Sequence, residues 1–228
     1  MGAVTMNKMV FDLKNLVTGG VQSDDTKPSD RQVAYWITQV RAQLIRQEFS
    51  QKGKIHDSWI QHFVMEFEEI DASIDPGCYP SCDDKVYRSK CKMPVTIQRG
   101  HKNGVIAVMS LTSGTSYTQT SFHRQQWHKH SKYTKNDRRW YIKGEYMYLV
   151  GESASTLQIS ALLEDPEDIT ECQKCAPEEC YTWDSSFPIT LEMAGRITEM
   201  LVKRMGILLQ APEDTNNNAI SGPTQDTK

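Results

Sequence analysis

The chain lacks any apolar run near the roughly 18–20 residues that a membrane-spanning helix requires, so membrane insertion is not expected. It also lacks the apolar core of a secretory signal, because the first 17 residues (MGAVTMNKMVFDLKNLV) are too polar. This places the expected site of synthesis and folding in a cytoplasm. An excess of positive charge is missing too. The formal net charge is −3, which argues against a general nucleic-acid binder. No P-loop, GxGxxG, nucleophile elbow or HExxH pattern occurs, so neither an enzyme nor a cofactor is expected. Internal repeats are absent, and a single CxxC spacing stands without the second that a four-cysteine zinc site would use.

What remains is a chain of 228 residues with 38% hydrophobic and 24% charged residues, the composition of a globular protein on the polar side. A chain of this size buries roughly 70% of its unfolded surface, so a substantial core is available. Met6, Met9, Val10, Leu13, Leu16 and Val17 recur at helical spacing before Gly19-Gly20, predicting a short amphipathic helix. Ser29 and Gln32 form a capping box for a longer helix over 30–50, with Val33, Ile37, Val40 and Leu44 as its apolar stripe. Arg31, Arg41 and Arg46 are expected to lie off that stripe.

A short helical turn over 57–61 and then a strand toward residue 74 follow, then a loop with Pro and Gly breakers over 75–93. Further strands are predicted at 94–98, 104–111, 139–142, 146–150 and 157–163. The tract WYIKGEYMYLVG reads as a hairpin about Lys143-Gly144-Glu145. A final helix over 188–209 has Ile189, Met193, Ile197, Leu201 and Met205 on one face, with Glu192–Arg196 and Glu199–Lys203 as i,i+4 pairs. The polar end, EDTNNNAISGPTQDTK, has little to bury and reads as a flexible tail. The expected fold class is therefore α+β, with N- and C-terminal helices forming a helical bundle around a β-rich central insertion. The expected divisions are 1–55 (N-terminal helices), 56–183 (β-rich middle), 184–211 (C-terminal helix) and 212–228 (tail).

Three groups of residues were candidates for chemistry. Cys78, Cys82 and Cys91, with Cys172, Cys175 and Cys180, sit in loop-like segments and are zinc candidates by spacing, against a simpler expectation of six reduced thiols. His123, His128 and His130 cluster near Trp127 but lack a metalloenzyme pattern, which favours solvated or interface histidines. Residues 123–143 interleave Arg124, Lys129, Lys132, Lys135, Arg138, Arg139 and Lys143 with Trp127, Tyr133, Trp140 and Tyr141. Such a stretch can track a nucleic-acid backbone and stack on bases. It is balanced by the acidic stretch EDPEDITECQKCAPEE at 164–179, and opposed charges also suit docking between copies of one chain.

Taken together, the segments MNKMVFDLKNLVTGGVQSDD, SDRQVAYWITQVRAQLIRQE, YTKNDRRWYIKGEYMYLVG, LLEDPEDI and FPITLEMAGRITEMLVKRMGILLQAPEDTNNNA resemble, in this order, the head-to-tail connector ring proteins of short-tailed, crAss-like bacteriophages. The resemblance implies a virion structural protein and not an enzyme: a homo-oligomeric, twelvefold ring below the portal that continues the DNA channel and joins capsid to tail. It implies as partners the portal protein, adjacent ring or tail proteins and packaged DNA passing without specific binding. It also implies a virion neck location after assembly in the host cytoplasm. The expected interaction residues are Arg31, Trp36, Arg41, Arg46, Arg138, Arg139 and, in the tail, Pro212, Asp214 and Asn217. The alternative is a nucleic-acid-binding regulator acting through 123–143.

Overall fold

The computed structural model describes residues 4–18, 28–52, 55–70, 86–98, 103–111, 113–124, 132, 137–150, 154–172 and 181–209. Helix α1 (Met6–Thr18) buries Met6, Met9, Val10 and Leu13, the three- and four-residue spacing that puts side chains on one helical face. Helix α2 (Asp30–Lys52) starts behind Ser29, whose Oγ accepts from the Gln32 N–H at 3.4 Å. Its stripe of Val33, Ile37, Val40, Leu44 and Ile45 is buried. A short helix, α3 (Ile169–Cys172), follows a 3-10 turn at Pro166–Asp168, and α4 (Leu191–Leu209) closes the described chain. Helix α4 begins three residues after Pro188, and the Thr190 hydroxyl accepts from the Met193 N–H at 3.2 Å. Thr190 is therefore the capping side chain of this helix.

Seven strands form one mixed sheet in the order β3-β7-β1-β2-β6-β5-β4. They are β1 (Gln61–Ile70), β2 (Val86–Ser89), β3 (Val105–Ser110), β4 (Thr118–Gln119), β5 (Arg139–Lys143), β6 (Tyr146–Val150) and β7 (Thr156–Ala161). Two segments bend this sheet into a nearly closed barrel. Strand β1 pairs with β7 through Gln61–Glu66, then with β2 through Phe67–Ile70. On the other side, Tyr117 N donates to Val108 O at 2.8 Å and Ser110 N to Thr115 O at 2.9 Å, so the chain leading into β4 bonds β3. The same chain then bonds β5, with Thr118 N to Arg138 O at 2.9 Å and Thr120 N to Trp140 O at 2.8 Å. Closure of this kind removes exposed sheet edges.

The barrel is filled by Phe63, Met65, Phe67, Trp140, Leu149, Leu157, Ile159 and their neighbours, with Ile169 of α3 joining them. A second apolar cluster lies among α1, α2 and α4 and takes in Trp59, Ile97, Leu162 and Phe187. Trp59 precedes β1 and Leu162 follows β7, so the helices sit over the end of the barrel where β1 begins and β7 ends.

This corrects the expected fold class. The molecule is not a bundle of terminal helices carrying a β insertion. The sheet closes around its own core, and the helical cluster is completed by residues from the sheet's own chain. Periodicity predicts each helix but cannot show that neither layer is complete without the other. Three local expectations are also corrected. Residues 94–98 make a single bridge, Thr96 to Leu163, rather than a strand. Strand β2 forms at the end of a segment read as loop, and its alternation is too short to register as a strand. The two-residue strand β4 was also missed. The hairpin forms as expected, with Lys143 opposite Tyr146 and Gly144 at φ 60°, a value glycine adopts without strain.

Candidate functional site

Arg41 is the most unusual side chain of α2. It is fully buried, with Nε donating to Pro188 O at 3.1 Å and an Nη donating to Leu163 O at 2.8 Å. Its guanidinium carbon lies 5.6 Å from the centre of the Phe187 ring, within cation–π range. Burial pulls its pKa down to about 10, while the nearby Tyr181 and Asp165 act in the opposite direction. Arg41 thus ties α2 to the ends of β7 and of the segment before α4. This corrects the expectation that it lies off the apolar stripe as a contact for partners: its polar atoms point into the protein.

The other arginines of α2 differ. Arg46 is about half exposed and forms an ion pair with Glu164. Arg31 is exposed and lines a cleft of about 410 Å³ with Ala34, Tyr35, Thr38, Asp165, Glu167 and Trp183. Within it the Trp183 indole N–H donates to Glu167 at 2.5 Å, so part of the acidic stretch is held by the chain itself. Trp36 is half-buried against the helical cluster. Arg196 pairs with Glu48 of α2 at 2.5 Å rather than with Glu192, and Lys203 pairs with Glu199 at 2.7 Å.

The basic-aromatic stretch does not present a stacking platform among its described residues. Trp140 lies inside the barrel and donates to Tyr117 O at 3.2 Å. Tyr141 stacks on Tyr148 at 5.1 Å, with Phe122 packed over it at 5.8 Å. Arg139 is buried and paired with Asp137 at 3.0 Å. Arg138 is half-buried, and Lys143 lies 4.5 Å from the Phe122 ring centre. Trp127, Tyr133, His128 and His130 lie outside the described residues; His123 is exposed.

Cys91 is disulfide-bonded, which removes it as a zinc thiolate and corrects the expectation of six reduced thiols. Cys172 ends α3. Cys78, Cys82, Cys175 and Cys180 lie outside the described residues, as do Pro212, Asp214 and Asn217. Among the described residues no group of three or more His, Cys, Asp or Glu side chains is placed to hold a metal ion. Nor is any described helix long and apolar enough to cross a membrane.

The outer surface of the barrel has two different walls. On the β1–β2–β6–β5 side, Glu68 pairs with Arg88 at 3.0 Å, Arg88 covers the Tyr146 ring at 4.9 Å, and the tyrosine stack lies under Phe122. On the β1–β7–β3 side, the cross-strand rows Val64, Gln158, Met109, Ser116 and His62, Ser160, Ala107 are followed by the row of Glu66 and Thr156, in which Glu66 pairs with Lys90 at 2.9 Å.

Comparison with known proteins bears on the whole chain rather than on one site. Residues 10–227 match the family Phage tail ring protein 2. Ring protein 2 of Bacteroides phage crAss001 is 25% identical over 232 aligned residues, covering 95% of this chain and 96% of that protein. With a match that runs through both the helices and the barrel, the chain belongs to the phage tail ring protein 2 family, structural ring components of the bacteriophage virion.

Proposed function

We propose that this ring protein sits in the head-to-tail connector, below the portal, where copies of the chain form a closed ring that continues the DNA channel and joins capsid to tail. Its role is structural and not catalytic. The observation that carries this reading is the family match over residues 10–227, which takes in every described element except the first turn of α1 and so bears on the whole subunit. A ring needs one surface of each copy to meet a different surface of the next, with closure set by the rotation per copy. Two layers of unlike chemistry, a helical one and a barrel, suit that requirement. Twelve copies, contact with the portal and adjacent tail proteins, and a neck location after assembly in the host cytoplasm belong to the same proposal. So does a contact role for Arg31, Trp36, Arg46, Arg138 and the segment 212–228.

Electron microscopy of the native particle tests this directly: the ring is expected next to the portal with twelvefold symmetry, and a position at the distal tail would overturn the connector assignment. Deleting residues 213–228 is expected to leave the monomer folded and to weaken capture by purified portal. Equal capture of the full and truncated chains would remove the tail from the interface.

A further inference from the structure

We infer that the barrel wall keeps one open strand position, between the segment 94–98 and β5, and that residues 219–221 of a second copy's C-terminal tail fill it by strand addition. This rests on the ring reading above and names a contact that would link neighbouring copies.

The open position follows from the hydrogen bonds around it. Between β3 and β5 the wall is made by the chain 115–120, which bonds β3 through Ser110 and Tyr117 and β5 through Thr118 and Thr120. That chain fills only one end of the space. At the other end, residues 95–97 lie in line with β3. Leu162 takes the Ile97 N–H at 2.8 Å and gives its own N–H to Gly104 O at 2.8 Å, both on the same side of the strand. Glu164 N donates to Val95 O at 2.9 Å, so these bonds flank the Thr96–Leu163 bridge. A bridge flanked in this way leaves the N–H and C=O of its own two residues pointing outward. Leu163 O is taken by Arg41. The outward N–H and C=O of Thr96 have no partner among the described residues, although Thr96 is only 8% exposed.

The edge of β5 across the space has the same character. Trp140 O takes the Thr120 N–H, and alternation turns Ile142, two residues on, the same way. Met147, opposite Ile142 on β6, gives its N–H to Ser89 on its far side, so this pair does not bond each other. The backbone of Ile142 therefore also faces the space without a partner among the described residues. Thr96 and Ile142 line one cleft of about 430 Å³ together with Met93 and Val95. The Lys92–Glu145 ion pair and the bond from Met93 N to Glu145 O at 2.6 Å bound it at the hairpin.

At sheet spacings a strand residue fills on the order of 160 Å³, so the cleft takes about three residues. An extended backbone inserted there meets donors and acceptors on both sides, the bonding that drives strand addition. Val95, 58% exposed at the rim, offers an apolar contact to its side chain.

The tail carries a segment of this length. Residues 210–228 extend past α4, and the family match runs on through residue 227, so the tail is included in what the family shares. Fully extended, it spans about 60 Å. Beyond Pro212 its one large apolar side chain is Ile220, between Ala219 and Ser221. A β-branched residue suits a strand, and Gly222-Pro223 ends the pairing directly afterwards, because proline has no N–H to donate. A second copy is the source because a ring repeats one contact between unlike surfaces, and a tail laid into the next copy's seam is such a contact.

Two measurements on the full chain test this. In hydrogen exchange of assembled rings, the amides of 93–98 and 140–145 are expected to be protected, and to exchange about tenfold faster after Ile220→Asp while β1 and β7 stay unchanged. Photo-crosslinking from Ile220→p-benzoylphenylalanine, in rings mixed from heavy-isotope and unlabelled chains, is expected to join heavy tails to unlabelled seams. Seam exchange that ignores Ile220→Asp would overturn strand addition and leave the ring reading standing. Crosslinks confined to one isotope would make the occupant the subunit's own tail, and in rings bound to purified portal, crosslinks to portal alone would make it a portal arm; either result overturns the second copy as the source. A wild type that forms no ring at any concentration would bring down self-assembly and this inference together.

Discussion

Arg41 acts through its geometry inside the protein. It spans three backbone carbonyls on two segments, Pro188 on one side and Leu163 and Glu164 on the other. Replacing it with Ala removes the donors and leaves these acceptors and a cavity behind, so Arg41→Ala is expected to lower stability by about 3 kcal/mol in urea unfolding. Arg41→Lys keeps the charge but not the planar fork, and is expected to recover less than half of that loss. Tyr181 nearby carries a hydroxyl whose pKa is raised well above the ordinary value near 10, by burial first and by Glu167 second. The sign follows from proton binding: above about pH 10 the unfolded tyrosine ionises while the folded one stays neutral, so stability falls as pH rises. Comparing wild type with Tyr181→Phe by urea unfolding at pH 8 and pH 11 is expected to show a smaller alkaline loss in the variant. An equal loss would place the effect elsewhere.

Among the elements, Gly104 holds the junction of barrel and helices. A Cβ there would stand 2.4 Å from Ile97 O and 2.9 Å from Leu162 O, both backbone atoms that cannot swing away. Gly104→Ala is therefore expected to cost about 2–3 kcal/mol, because the backbone segments that carry Ile97 and Leu162 into the helical cluster must separate. Gly144→Ala has open space around it and meets only the φ of 60°, so it is expected to cost about 1 kcal/mol. Thermal unfolding of the two variants checks the ranking. Legibility in the sequence follows the same division. The helices α1 and α2 and the β5–β6 hairpin were readable because stripe, cap and turn glycine all act within a few residues. Strands β2 and β4 were not, because their pairing with distant strands, and not their own pattern, makes them strands. The basic-aromatic stretch misled for a related reason: Trp140 and Tyr141 point to opposite faces of one strand, one into the barrel and one under Phe122, and both are spent in packing.

At the scale of the whole molecule, two layers depend on each other. The helical cluster includes Ile97 and Leu162, and the barrel end is tied to α2 through Arg41. Variants that loosen the junction, Gly104→Ala or Arg41→Ala, are accordingly expected to impair assembly as well as stability. By itself the sequence determined the helical segments, the hairpin, the absence of recognisable catalytic motifs and, through its ordered segments, the ring-protein resemblance, since these rest on local pattern or on residue identity. Only the tertiary structure decided that the strands close into a barrel, that Arg41 is an internal clamp and that Cys91 is bonded. Each of those depends on which distant residues meet, and neither spacing nor composition carries that information.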